Sequence, residues 1–304
     1  MAGSVCIAQS SGGVVGWQSG PVAAGVLTRA TATTLGTVSR LPTIFASLRA
    51  AERKALMPFI CGGHPRPGDT ARLLPALQRA GASVVEVGYP FSDPVADGPV
   101  IAAAMHEALK AGATVKSVNA EIGATRAGGC SVGIVSMVSI SIVHRVGVRA
   151  FVEGAKGAGV DGFIFPDVPL EESDEPLSRV REAGLCAAML IAPTTDAARA
   201  GALARASSGF VYVLARAGIT GEGAGLAVDA LARRIGALRN ETDLPIAVGF
   251  GVSNAGQVRQ VVGAGADAAI VGSALVRRIA QGAIGGDPVA AGEAFVGELA
   301  QGLR

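Results

Sequence analysis

Aromatic residues are few in this sequence, charge is thin, and no two cysteines sit close together; each shortage closes off a class of protein. Only 4% of the 304 residues are aromatic while half are hydrophobic. A core must therefore be built from Ala, Val, Leu and Ile, the composition of buried parallel strands covered by small-residue helices. Charged residues make up 16% and the net charge is +2, with Arg common, Lys scarce and neither clustered. No electrostatic footprint for a nucleic acid or an anionic membrane results. The cysteines, Cys6, Cys61, Cys130 and Cys186, form no CxxC pair. They fit neither a zinc site nor a disulfide framework, and they read as reduced thiols of a cytosol-like compartment. Mean hydropathy is high at +0.45. The longest apolar stretch, about 130–143, is nevertheless broken by serines and a glycine, and it falls short of the ~20 residues a spanning helix needs. No transmembrane segment is predicted.

Acids are missing altogether from the first 51 residues, Glu52 being the first. That opening is rich in Ser, Thr, Ala and Gly, with Arg29, Arg40 and Arg49. Such a start is expected either of a disordered extension or of a transit peptide, which would send the protein to the plastid stroma rather than leave it in the cytoplasm. Residues 1–42 are therefore set apart from a folded domain over 43–304. A short amphipathic helix is predicted at 43–54, with Ile44, Leu48 and Ala51 on one face.

From residue 56 short apolar runs alternate with helical patterns. The strand candidates are 56–61, 84–88, 131–137, 162–165, 187–191, 210–214, 245–249 and 268–271. Helical patterns lie at 71–80, 151–158, 171–183, 197–206, 228–239 and 255–263, with a closing helix at 288–303. Strands each followed by a helix predict an α/β chain folded as a closed (β/α)8 TIM barrel, in preference to an open doubly wound sheet. Two helical patterns, 100–111 and 115–127, follow the second strand, so an extra helix is expected there. In barrels of this kind chemistry sits at the carboxyl ends of the strands.

Those ends carry one charge. Glu86, in the run Val84-Val85-Glu86-Val87-Gly88, is the only charged residue in all the strand candidates. A carboxylate among valines must be paired, solvated at the mouth, or raised in pKa. It is either a rim residue bonded to a loop Arg or to backbone amides, or a general acid/base held near neutrality. The loop that follows holds Pro90, Pro94 and Pro99 with Asp93 and Asp97. Its prolines stiffen it, and it is expected to hold Asp97 over the strand ends, although either Asp could equally serve as a turn residue or helix cap. Three later strand ends carry glycines: Gly218 and Gly221, Gly249 and Gly251, and Gly272 followed by Ser273. The last two groups are expected to feed helix starts, where free backbone N–H groups and the helix dipole bind phosphate. A small phosphorylated substrate is therefore predicted.

The run 85–99, VEVGYPFSDPVADGP, resembles the signature of the tryptophan synthase α-subunit family. Leu56-Met57-Pro58-Phe59, Pro166-Asp167-Val168-Pro169, Ala192-Pro193-Thr194-Thr195, Gly209-Phe210-Val211-Tyr212 and Gly218-Ile219-Thr220-Gly221 agree in order and spacing. The resemblance implies a carbon–carbon lyase that cleaves indole-3-glycerol phosphate to indole and glyceraldehyde 3-phosphate. It implies Glu86 as acid/base and Asp97 as acceptor of the indole N–H. Tyr212 and Phe59 would line the site, Gly221, Gly251, Gly272 and Ser273 would hold the phosphate, and Thr220 would help place Asp97. It further implies no metal or organic cofactor on this subunit, and a β subunit carrying pyridoxal phosphate, in an α2β2 assembly, that receives the indole.

Several positions depart from the family pattern. Ser139 and Ser141 stand where a Tyr and an Asn are usual, which predicts a looser indole pocket. Ala215 stands at a position often held by Ser. Gly63-His64-Pro65 replaces Gly-Asp-Pro, and His64 is expected to be a solvated loop residue. These departures leave two alternatives: a catalytically weak paralogue that binds or activates a β-type partner, or a stand-alone lyase releasing free indole.

Overall fold

The computed structural model describes residues 38–94, 97–215, 227–249 and 251–304. Parallel strand segments make one sheet in the order β5-β4-β3-β2-β1-β9-β8-β7-β6. They are β1 (Ala55–Cys61), β2 (Val84–Gly88), β3 (Gly133–Met137), β4 (Gly162–Ile164), β5 (Cys186–Ala188), β6 (Leu190–Ile191), β7 (Val211–Leu214), β8 (Ile246–Gly249) and β9 (Ala268–Val271). The two ends of that order, β5 and β6, are parts of one chain run separated by Met189. β5 pairs with β4 and β6 pairs with β7, so the sheet closes on itself and the open-sheet alternative falls. The ladder breaks at Met189 because serines stand in for strand partners. Ser208 Oγ accepts from Ala187 N–H at 2.9 Å and Ser207 Oγ from Met189 N–H at 3.0 Å.

Residue alternation divides the core in two. Leu56, Ile60, Val85, Val87, Ile134, Phe163 and Val248 face outward into the helices. Ala55, Met57, Val84, Val135, Ile164, Ala188, Tyr212, Ala247 and Ile270 face the barrel axis. Helix α1 (Leu41–Ala50) closes the amino-terminal end by inserting Leu41 and Phe45 among the inward residues. Gly133 and Gly162 leave room for it, since a Cβ at either would come within 3.0 Å of a Leu41 methyl.

Thus the helix expected at 43–54 starts two residues earlier, and Leu41, read from the sequence as part of the extension, is fully buried. The physical reason is Pro42, which suits the first turn of a helix because its missing N–H would have no partner there. Residues 1–37 lie outside the described residues. The two helices expected after the second strand are α3 (Pro99–Lys110) and α4 (Val115–Ala127). A short helix that sequence periodicity did not reveal, α5 (Ile140–Val146), follows β3. Further helices include α2 (Asp69–Arg79), α6 (Val148–Ala158), α10 (Ala255–Gly263), α11 (Ser273–Ala283) and the closing α12 (Pro288–Ala300). No helix among the described residues is long and apolar enough to cross a membrane.

Candidate active site

Parallel register fixes what meets at the mouth. Phe59 of β1 is the partner of Glu86 on β2, and Glu86 is the partner of Val135 on β3, so these side chains share the inner face. The Phe59 ring lies across Gly88, where a Cβ would collide with it. On the far wall the Tyr212 hydroxyl occupies the space a Cβ at Gly249 would need. Both glycines are there so that an aromatic ring can reach the axis.

Glu86 is 1% exposed, and neither carboxylate oxygen has a hydrogen-bond partner among the described residues. An ionised carboxylate in that setting is costly, and the group responds by holding its proton. Burial pushes its pKa up to about 8. Among the described residues Glu86 has neither the Arg nor the backbone amides that the rim alternative requires. Asp97, on the loop between β2 and α3, is also lifted by burial, to about 6. The phenol of Tyr212 is raised well above its usual value, first by burial and then by the charges of Glu86 and of Asp97. The structure thus brings Phe59, Glu86, Asp97 and Tyr212 to one end of the barrel.

The glycine turns differ from each other. Gly251, just after β8, has φ +82, a left-handed conformation that favours glycine. The helix it leads to, α10, is capped by its own residues: Asn254 Oδ1 accepts from Gln257 N–H at 3.0 Å, and Gln257 Oε1 accepts from Ser253 N–H at 2.7 Å. Helix α11 instead begins directly after Gly272, without a side-chain cap and without an acid in its first turn. The expectation that both turns run straight into open helix starts therefore holds for Gly272 and Ser273 alone. A Cβ at Gly272 would lie 3.8 Å from Phe59 Cβ, so that open terminus adjoins the same wall as Phe59. Thr220 and Gly221 lie outside the described residues, as does Arg216.

His64 is not the solvated residue the sequence suggested. It is 2% exposed, and its Nε2 lies 3.0 Å from Glu107 Oε2 on α3. Burial lowers its pKa while the bond to Glu107 works the other way, so an acid on α3 meets the histidine standing in for the usual Asp. Ser139 caps α5 by accepting from Ser141 N–H, and its hydroxyl donates to Asp167 Oδ2 at 2.6 Å. Asp167 also accepts from Ile140 N–H at 3.0 Å, so it shapes the β3 side of the mouth rather than reacting there. These pairings join residues far apart in sequence, and spacing gives no hint of them. No three His, Cys, Asp or Glu side chains among the described residues come together as a metal ion would require.

Comparison with known proteins agrees with the geometry. The family model for the tryptophan synthase alpha chain matches residues 45–303. The tryptophan synthase alpha chain of Laribacter hongkongensis is 44% identical over 242 residues, spanning 80% of this chain and 91% of that one. The alpha chain of a Synechococcus strain is 43% identical over 257 residues, spanning 84% and 94%. Among solved structures, one of Mycobacterium tuberculosis tryptophan synthase superposes with a TM-score of 0.79 at 36% identity, covering 88% of this chain and 99% of that one. Tryptophan synthase subunit alpha from Legionella pneumophila gives 0.80 at 30% identity, with 88% and 99% covered.

Proposed function

The chain belongs to the tryptophan synthase alpha-chain family, and from that premise we propose how its residues carry out the family's lyase reaction. That reaction is the retro-aldol cleavage of indole-3-glycerol phosphate to indole and glyceraldehyde 3-phosphate. Glu86 moves the protons and Asp97 steadies the ring. The observation that carries this reading is the unpaired, fully buried Glu86, which keeps a proton at neutral pH.

Cleavage needs a proton on indole C3 and the loss of one from the glycerol hydroxyl next to it. Protonated Glu86 donates to C3, leaving a cationic ring whose N–H is held by ionised Asp97. The Glu86 carboxylate then takes the hydroxyl proton. The C–C bonding pair returns to the ring, indole is released, and the former carbinol carbon becomes the aldehyde of glyceraldehyde 3-phosphate. Glu86 ends with the proton it began with, so one residue serves both transfers. Phe59 and Tyr212 flank the ring. The phosphate sits at Gly272 and Ser273, where the uncapped start of α11 supplies N–H donors, with Gly251 and Gly221 beside it and Thr220 acting on Asp97. The folded catalytic unit begins no later than α1, at residue 41, and runs to residue 304. No metal or organic cofactor takes part on this chain; indole passes to a β subunit that holds pyridoxal phosphate, in an α2β2 assembly.

Glu86→Gln removes the proton donor without changing shape. Indole release is expected to fall by about 10²–10⁴-fold while the dissociation constant for indole-3-glycerol phosphate changes little; turnover at the wild-type rate would sink the mechanism. The pH profile of kcat/KM, which reports the groups of the free enzyme, is expected to be a bell. It falls below about 6 as Asp97 takes up a proton, and above about 8 as Glu86 loses one.

A further inference from the structure

We propose that His106 is a positioning residue for this reaction: by fastening the Ser92 carbonyl it holds the loop between β2 and α3 so that Asp97 stands where the indole N–H arrives. The proposal rests on the assignment of Asp97 above and adds to it a residue that touches no substrate.

Two bonds among the loop's described residues are local. Ser92 Oγ donates to Asp93 Oδ2 at 2.6 Å, and Asp97 N–H donates to the Pro94 carbonyl at 3.0 Å. Such bonds give the loop a shape without fixing where that shape sits. Its first residue is tied to the barrel, Tyr89 N–H donating to the Met137 carbonyl at 2.9 Å. From the middle of the loop a bond runs outward, with His106 Nε2 lying 3.0 Å from the Ser92 carbonyl oxygen. A carbonyl can only accept, so Nε2 carries the hydrogen and donates, in the neutral ring and in the protonated ring alike. The tether therefore persists across the working pH range.

His106 is a firm post for such a tether. It lies on α3, whose inner residues Ile101, Ala104, Met105 and Ala108 pack with Phe59 and Cys61 beneath the site. The next residue, Glu107, grips buried His64 of the β1–α2 loop. Two adjacent side chains on one helix thus clasp two neighbouring loops of the mouth. The raised pKa of Asp97 reports how well the loop keeps that carboxyl from water. Releasing the loop lets water in and returns the carboxyl toward its ordinary value.

The test uses the full chain and reads indole release against pH. His106→Ala is expected to lower kcat about three- to tenfold, the worth of one hydrogen bond, with KM changed less than about twofold. The acid limb of the kcat/KM profile should move to lower pH. Because His106 is exposed, the melting temperature should not move. His106→Gln keeps an N–H donor and should recover most of the rate and the position of the limb. Wild-type kcat with an unmoved limb in His106→Ala overturns the proposal, as does an equal loss in the Ala and Gln variants with the limb in place. Asp97→Asn separates the two levels. If it cleaves at the wild-type rate the Asp97 assignment itself fails; if it is inactive while His106→Ala is normal, only the positioning role fails.

Discussion

Asp161, just before β4, and Glu86, within β2, are both carboxylates removed from water, and the barrel treats them in opposite ways. Asp161 lies at the closed end and is fully buried. It accepts from Arg126 Nη2 at 2.7 Å, from Arg40 Nη1 and N–H at 3.1 Å each, and from Ile134 N–H at 2.9 Å. Every lone pair has a donor, and the ion is a fastening: it joins the start of α1 to α4, to β3 and to the chain entering β4. Glu86 lies at the open end, and neither of its oxygens has a partner among the described residues. Its burial costs stability. A fold that satisfies one buried acid so fully leaves the other without a partner among the described residues. On the proposed mechanism, the difference separates a carboxylate kept for structure from one kept for chemistry.

Mutating the two acids should therefore give opposite results. Asp161→Asn leaves Arg126, largely buried, without its counter-charge. The expected cost is about 3–5 kcal/mol, or roughly 10 °C in melting temperature, while kcat well below the melt stays within about twofold. Glu86→Gln should raise the melting temperature by several degrees at pH 8 and lower turnover by about 10²–10⁴-fold. The sign follows from the raised pKa. Between about 4.5 and about 8 the unfolded chain has released a proton that the folded protein keeps, so stability falls as pH rises through that window. Glutamine does not titrate, so its advantage grows from nothing near pH 4.5 to on the order of a few kcal/mol at pH 8. Thermal melts of both variants at those two pH values check the contrast. If Asp161→Asn melted like the wild type, or Glu86→Gln melted lower at pH 8, the division into fastening and functional acids would be wrong.

The same contrast explains what could be read from sequence. Glu86 stood out because a strand made of valines announces any charge placed in it, and its lack of a partner is a local property. The barrel was legible for a similar reason: β2, β9, α4, α8 (Ala197–Ala206) and α10 run where apolar period and glycine put them. Asp161 passed unnoticed because its partners are 35 and 121 residues away. The pairs His64–Glu107 and Ser139–Asp167, separated by 43 and 28 residues, escaped likewise. Helix α5 was missed because Ile140, Ile142 and Val143 continue an apolar run that reads as strand. What starts the helix is the cap from Ser139, steadied by Asp167 after the neighbouring strand β4. Leu41 falls within the expected extension because Pro42 marks a boundary in the sequence pattern, whereas in the structure it is a first-turn residue. Sequence pattern reports periodicity and local incongruity well; it carries little about which polar group another polar group finds once the barrel has closed.

The most direct test is the titration of Glu86 itself. A carbon-13 NMR titration of side-chain carboxyl-labelled glutamate, with the Glu86 resonance assigned by its loss in Glu86→Gln, reads the protonation state without reference to turnover. A midpoint near 8 is expected, in place of the ordinary 4.5. A midpoint at the ordinary value would mean that the carboxylate is solvated or paired in solution and ionised at neutral pH. It would then have no proton to give to the indole ring.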